Sequence, residues 1–143
     1  MNTMAENKSG IVPIWTSVYS VGHPLLDSQH QRLLSLCQLA VDCMENGAAD
    51  SMGESHILLN ELVEYAHCHF KTEEQLLADS AYPFLDQHKK EHEAFRTNLA
   101  EHLYLATVGK LDKEHLYYFL SDWWQEHILS SDMQYREHLT KLD

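Results

Sequence analysis

Seven side chains able to bind a metal recur at helical spacing on otherwise apolar faces: His30, His69 with Glu73, His88 with His92, and His127 with Asp132. Residues four apart on a helix differ by roughly 40° in direction and one turn in height. His69/Glu73 and His88/His92 therefore each point one way, and each pair can grip an ion together. Five imidazoles and two carboxylates are too many for one metal ion and suit two ions that share the carboxylates as bridges. Imidazole with carboxylate selects first-row transition metals over Mg or Ca, and no thiolate is placed to favour zinc. Without cations, burying such a set would cost several kcal/mol for each unpaired charge.

The last pair is irregular. His127 to Asp132 is a step of five, which leaves the two roughly 140° apart on a regular α-helix. A widened turn, such as a π-bulge, would swing Asp132 back to the site, and such bulges are frequent at functional sites. Taken alone, Asp132 reads as a helix-end cap; with six partners it reads as a ligand. A lone histidine on an apolar face is more often a satisfied core residue, but five aligned with two carboxylates reverse that expectation. The other six of the eleven histidines, His23, His56, His67, His102, His115 and His138, fall outside the stripes or near helix ends. They read as surface residues, with His23 and His102 coming nearest to an exception.

The elements that must carry these residues follow from the apolar pattern. After an irregular arm, residues 1–24, closed by Gly22 and Pro24, the positions Leu26, His30, Leu33, Leu34, Cys37, Val41 and Met44 recur at intervals of three and four, the stripe of an amphipathic helix. Residues 46–51 read as a loop, with Asp50 or Ser51 as N-cap. A second stripe runs Leu59, Leu62, Ala66, His69, Glu73, Leu76, Leu77 and stops near Asp79, before the break at Tyr82-Pro83. A third runs Leu85, His88, His92, Phe95, Leu99, Leu103, Ala106 and ends at Gly109. A fourth begins near Leu111 and carries Leu116, Leu120, Trp123, Trp124 and His127; a short C-terminal helix is expected over 133–142. Helices of this length joined by short loops predict an all-α, up-down-up-down four-helix bundle, a single domain over 25–143.

Composition narrows the function. A net charge of −12 with no Lys/Arg cluster excludes phosphate-backbone recognition, hence nucleic acid. Cations bound among the carboxylates would compensate part of that charge. No stretch is apolar enough for a signal peptide or a membrane span. The three cysteines, Cys37, Cys43 and Cys68, lack metal or redox spacing, and buried thiols in a reducing cytoplasm are the expectation.

Read together, these segments resemble the hemerythrin family, and within it the single-domain bacterial members called bacteriohemerythrins. The likeness runs from Trp15 to about Tyr135. It includes Tyr19-Ser-Val-Gly22, the D-S-Q-H that ends at His30, H-F-K-T-E-E from His69, and Tyr82-Pro83. It continues with H-K-K-E-H-E-A-F from His88 to Phe95 and W-W-Q-E-H-I-L-S-S-D from Trp123 to Asp132. The resemblance implies two non-haem iron ions: one held by His88, His92 and His127, the other by His30 and His69 with an open position for O2. Glu73 and Asp132 would bridge them together with an oxygen from solvent. It implies reversible O2 binding for storage, delivery or scavenging, without enzymatic activity. Leu33, Trp123, Trp124 and Ile128 are the expected O2 pocket, an apolar enclosure that keeps water from the open ion.

An asymmetric split of histidines leaves one metal with a vacancy, the general requirement for an exogenous ligand. Two departures from the family pattern stand out. Trp124 occupies a place where leucine is common, so it is expected to narrow or re-route access to the open iron and alter autoxidation. Leu77 stands where methionine is frequent, a volume-conserving exchange. Two other functions remain open at this point. One is O2, nitric oxide or redox sensing through a partner protein, although members with that role usually carry a fused signalling domain. The other is a diiron oxidase or peroxidase, although such enzymes favour Glu-x-x-His motifs on two helices, and the one instance here, Glu64 to His67, lies on the wrong side of its helix.

Overall fold

The computed structural model of the chain describes residues 12–45 and 51–141. After a 3-10 turn at Ser17–Tyr19 come α1 (Pro24–Glu45), α2 (Ser51–Asp79), α3 (Leu85–Thr107) and α4 (Lys113–Glu126). A π-helical segment (His127–Asp132) and α5 (Met133–Thr140) follow. Among the described residues there is no strand. α1 packs along α2, α2 along α3, and α4 returns against α1, which closes the four-helix bundle. No described helix is long and apolar enough to cross a membrane.

Local chemistry sets most of the boundaries. Pro24 is the first residue of α1, where a missing N–H costs nothing. His23 stands just before it and receives the Leu26 N–H on its Nδ1 at 3.5 Å. α2 ends in a turn where the Tyr82 N–H reaches Leu77 O (2.9 Å) and the Ala81 N–H reaches Ala78 O (3.0 Å). This is the paired bonding of a Schellman cap, which needs a left-handed residue, and here Ala81 takes that conformation at φ 57°. α3 ends in the same way at Gly109, φ 73°, with Lys110 N–H bonded to Leu105 O at 2.8 Å. Asp112 caps α4 by accepting the His115 N–H at 3.2 Å. Of the two expected N-cap candidates, Asp50 lies outside the described residues, and Ser51 is the first residue of α2.

The short C-terminal helix expected over 133–142 is present as α5, and the backbone stays right-handed helical at Glu126, His127, Asp132 and Met133, so α4, the π segment and α5 run on without a break. One expectation is corrected: the cysteines are not uniformly buried; Cys37 is enclosed, Cys43 half-buried and Cys68 exposed. A stripe read at 3.6 residues per turn does not separate a core edge from a solvated flank.

The arm is also better anchored than an irregular leader. Val12, Tyr19 and Val21 are buried, and Asp27 accepts from Ser20 Oγ (2.6 Å) and Val21 N–H (2.8 Å). Arg136 of α5 donates to Ser20 O at 3.0 Å. His138, expected at the surface, is half-buried with Nε2 at 2.8 Å from Ser80 O, which ties α5 to the α2–α3 turn. His23, His56 and His102 are half-buried, and His67 and His115 are exposed.

The core divides in two. The larger cluster joins Leu33, Leu36, Cys37, Leu62, Phe70, Phe95, Leu99, Leu120, Trp124 and Ile128 among others. A smaller one gathers Val21, Leu26, Leu77, Tyr82 and Tyr135. The histidines and carboxylates lie between them.

Candidate metal centre

All seven side chains singled out by spacing are buried and converge. His30, His69, Glu73, His92 and Asp132 are fully inaccessible, and His88 and His127 nearly so. The step of five is resolved by the π segment, in which the Met133 N–H bonds to Ile128 O, five residues back. The added residue brings Asp132 onto the face of His127, with Oδ1 3.0 Å from His127 Nε2.

Each carboxylate divides its oxygens between two groups of imidazoles. Glu73 Oε1 lies 2.7 Å from His88 Nε2 and 2.9 Å from His92 Nε2. Its Oε2 lies 3.5 Å from His30 Nε2 and 3.4 Å from His69 Nε2. Asp132 Oδ1 faces His88 (3.1 Å) and His127 (3.0 Å), and Oδ2 faces His30 (3.1 Å). The cluster therefore has a three-histidine pole (His88, His92, His127) and a two-histidine pole (His30, His69), joined by two carboxylates. Glu73 with the first trio, and Glu73 with the second pair, form the two groups whose ligand atoms lie close enough to hold an ion.

The outer faces of the rings show which nitrogen is turned inward. His69 Nδ1 is 2.7 Å from Gln29 Oε1, His92 Nδ1 is 2.7 Å from Glu74 Oε2, and His127 Nδ1 is 2.9 Å from Glu91 Oε1. Those oxygens accept, so Nδ1 carries the proton and Nε2 presents its lone pair to the centre. Ser131 Oγ also donates to Glu91, and Tyr135 OH donates to Glu73 Oε2 at 2.8 Å. Yet His30, His69, His92 and His127 Nε2 and both Asp132 oxygens, all buried, make no hydrogen bond. Buried polar atoms rarely go unsatisfied. Buried nitrogens and oxygens that converge without bonding one another are what a pair of cations would satisfy, and the donor set fits first-row transition metals.

Sequence reasoning missed Gln29, Glu74, Glu91, Ser131 and Tyr135. Four of them adjoin a ligand in the chain, which was the available signal; Tyr135 follows Asp132 by three, the next inward position of a helix. Phe70 was missed as well, and its ring stacks on His92 at 3.9 Å and 13°. Of the expected O2 pocket, Leu33, Trp124 and Ile128 are fully buried in the larger cluster. Trp123 is half-buried, stacks on His127 at 4.4 Å and 17°, and borders an outer cleft with Asp122 and Glu126. Glu64 and His67 are both exposed, away from the cluster.

The metal-free chain must hold protons where cations would sit. Burial opposes charge on the imidazoles, but Asp132 and Glu73 carry His30 to about 9 and His88 to about 10. The same carboxylates, with Glu91, carry His127 to about 8. Burial alone would raise Glu73 and Asp132; the imidazoles hold both well below the ordinary carboxylate range. Burial moves His69 down.

For the raised histidines the stabilisation is full below about 6.5 and is lost as pH climbs through their folded values. For the depressed carboxylates it is present above about 4 and lost as pH falls. The melting temperature of the metal-free protein should therefore fall between pH 6.5 and 10. In the loaded protein metal replaces those protons, and this alkaline loss should be absent. Thermal melts of both forms across that range check it.

Comparison with known proteins agrees with this geometry. The family model for the hemerythrin HHE cation binding domain matches residues 21–139. A bacteriohemerythrin of Stenotrophomonas maltophilia is 30% identical over 129 residues, covering 88% of this chain and 80% of the relative. A hemerythrin-like protein of Naegleria gruberi is 32% identical over 122 residues, covering 85% of this chain and 89% of the relative. The crystal structure of a hemerythrin point mutant superposes with a TM-score of 0.76 at 23% identity, covering 88% of this chain and 95% of that one, a likeness of fold.

Proposed function

The chain belongs to the hemerythrin family, and from that premise we propose that it binds O2 reversibly at two non-haem iron ions held between its helices. The observation that carries this reading is the division of Glu73 and Asp132, each with one oxygen toward two members of the three-histidine pole and the other toward one or both members of the two-histidine pole. Two bridging carboxylates with a three-to-two split of imidazoles leave one ion short of a ligand, which is where an exogenous molecule can bind. When bound, a pair of ferrous ions supplies the electrons and the open position that O2 needs.

The protein's own residues do the rest. Gln29, Glu74 and Glu91 hold three rings with Nε2 inward. Tyr135 pins one oxygen of Glu73. Leu33, Trp124 and Ile128, fully enclosed, exclude water from the cluster and so favour reversible binding over loss of electrons to solvent. We read the protein as a binder and not an oxidase, because five of the seven converging side chains are imidazoles and the Glu64/His67 pair is on the surface.

The test is spectroscopic. Iron-loaded, reduced protein should hold two ions per chain and gain a visible absorption band in air that fades on deoxygenation. Iron stoichiometry near two without a reversible band, or steady turnover of peroxide, would reject O2 carriage. In the same experiment the oxygenated form of Trp124→Leu should decay faster than the native form, since a smaller side chain opens the enclosure to water. An unchanged decay would remove Trp124 from the proposed role.

A further inference from the structure

The two poles are supported unequally, and every difference points the same way. At the three-histidine pole, two rings donate Nδ1–H to carboxylates, His92 to Glu74 at 2.7 Å and His127 to Glu91 at 2.9 Å. A carboxylate behind an imidazole makes the inward nitrogen a stronger donor to a metal. At the two-histidine pole, His69 is held by the neutral amide oxygen of Gln29 at 2.7 Å. His30 Nδ1 is buried without any partner.

The shared carboxylate adds to the imbalance. Glu73 Oε2, the oxygen that faces His30 and His69, already accepts a hydrogen bond from Tyr135 OH at 2.8 Å, whereas Oε1 faces only His88 and His92. Tyr135 is fully buried, so no water competes for that bond. An oxygen that shares its lone pairs with a phenol has less charge to offer a cation. The two-histidine pole is thus short of one imidazole, lacks a carboxylate behind either ring, and receives a weakened bridging oxygen.

We propose that Gln29 and Tyr135 are positioning residues that keep the two-histidine pole the weaker, exchangeable half of the centre, so that metal ions enter and leave in a fixed order. This rests on the dinuclear reading above and specifies how the site is regulated: the three-histidine pole is filled first, and the pole expected to meet O2 is filled last and emptied first. A cell short of metal would then hold a half-filled protein with an intact three-histidine ion and no O2-binding ion.

The test is a titration of metal-free protein with Co(II), followed by calorimetry and by visible absorption, neither of which needs O2. Two binding events are expected, their dissociation constants separated by about tenfold or more. His30→Ala should abolish the weaker event and His127→Ala the tighter one. Gln29→Glu places a carboxylate behind His69, and Tyr135→Phe frees Glu73 Oε2. Each should tighten the weaker event about tenfold and leave the tighter one unchanged. Gln29 is half-buried at the bundle edge, so its variant keeps the fold intact where Tyr135→Phe alters the core.

A purely structural role would loosen both events together. Two equal affinities, or variants that shift only the tighter event, would overturn the ordered filling while leaving the dinuclear site standing. Fewer than two Co(II) per chain in the native protein would overturn the dinuclear reading and this inference with it.

Discussion

Glu73→Ala should lose both ions, whereas His30→Ala should keep one. Among the described residues, Glu73 alone lies within 3.5 Å of an inward nitrogen at both poles through separate oxygens while also accepting from Tyr135. Its removal would strip a ligand from each proposed ion at once and leave Asp132, which faces His30, His88 and His127, as the one carboxylate of the cluster. The loss of affinity at each pole should exceed the roughly 10–100-fold that removing an outer hydrogen-bond partner costs. Removing His30 touches one pole only.

The metal-free variant should suffer too. Glu73 is fully buried, and breaking a buried ion pair by deleting one partner costs about 3–5 kcal/mol because the other charge stays behind. Metal analysis after anaerobic loading with Fe(II), and denaturant unfolding of the metal-free forms, check both halves. Retention of two ions by Glu73→Ala would show that the carboxylate does not bridge.

Insertion of one alanine after Ser130 should abolish the centre without abolishing the helix. Ser130 is exposed in the middle of the π segment, so no packed side chain need move to admit it. The π segment already takes up one residue beyond regular winding, and a second turns everything beyond it by roughly 100°. Asp132 then leaves the face of His127, and Tyr135, which is fully buried and bonded to Glu73, leaves the core. Deletion of Ser130 instead leaves a step of four, which a regular α-helix keeps on one face, and should retain the centre.

Far-ultraviolet circular dichroism should stay helical while metal stoichiometry falls below two and the melting temperature drops. Ser130→Ala should behave as the native protein, because it preserves residue count. An insertion variant that still binds two ions would mean that the winding of this segment is incidental to the site.

Most of the converging set was legible in the chain because its signal is local. A histidine or glutamate on an apolar stripe contradicts the stripe, and the contradiction recurred in every long helix: His30, then His69 and Glu73, then His88 and His92, then His127. Asp132 was legible only by its violation of helical spacing, and a π-helical turn was the one local geometry that reconciled it. The boundaries at Asp79 and near Gly109 were legible for the same reason, since turns and caps are written in neighbouring residues. The helper residues were not legible. Glu74 and Glu91 look like any solvated glutamate, and only the rotation of α2 and of α3 about their own axes sets Glu74 behind His92 and Glu91 behind His127.

The C-terminal helix was legible, but its continuity with α4 was not, because a π segment carries the backbone onward without the Gly or Pro that would mark a stop. Trp123 and Trp124 are adjacent and chemically alike, yet Trp124 is enclosed and Trp123 borders the outer cleft.

By itself, then, the sequence determined the four helices, the inward faces and the identity of the seven converging side chains, because each depends on angles between residues within a turn or two of one another. The tertiary structure alone decided which oxygen of Glu73 and Asp132 faces which pole, which imidazole has a carboxylate behind it, and that Tyr135 reaches Glu73 across 62 residues. Those relations depend on how far one helix is rotated and slid against the next, a quantity that no spacing along a single helix contains.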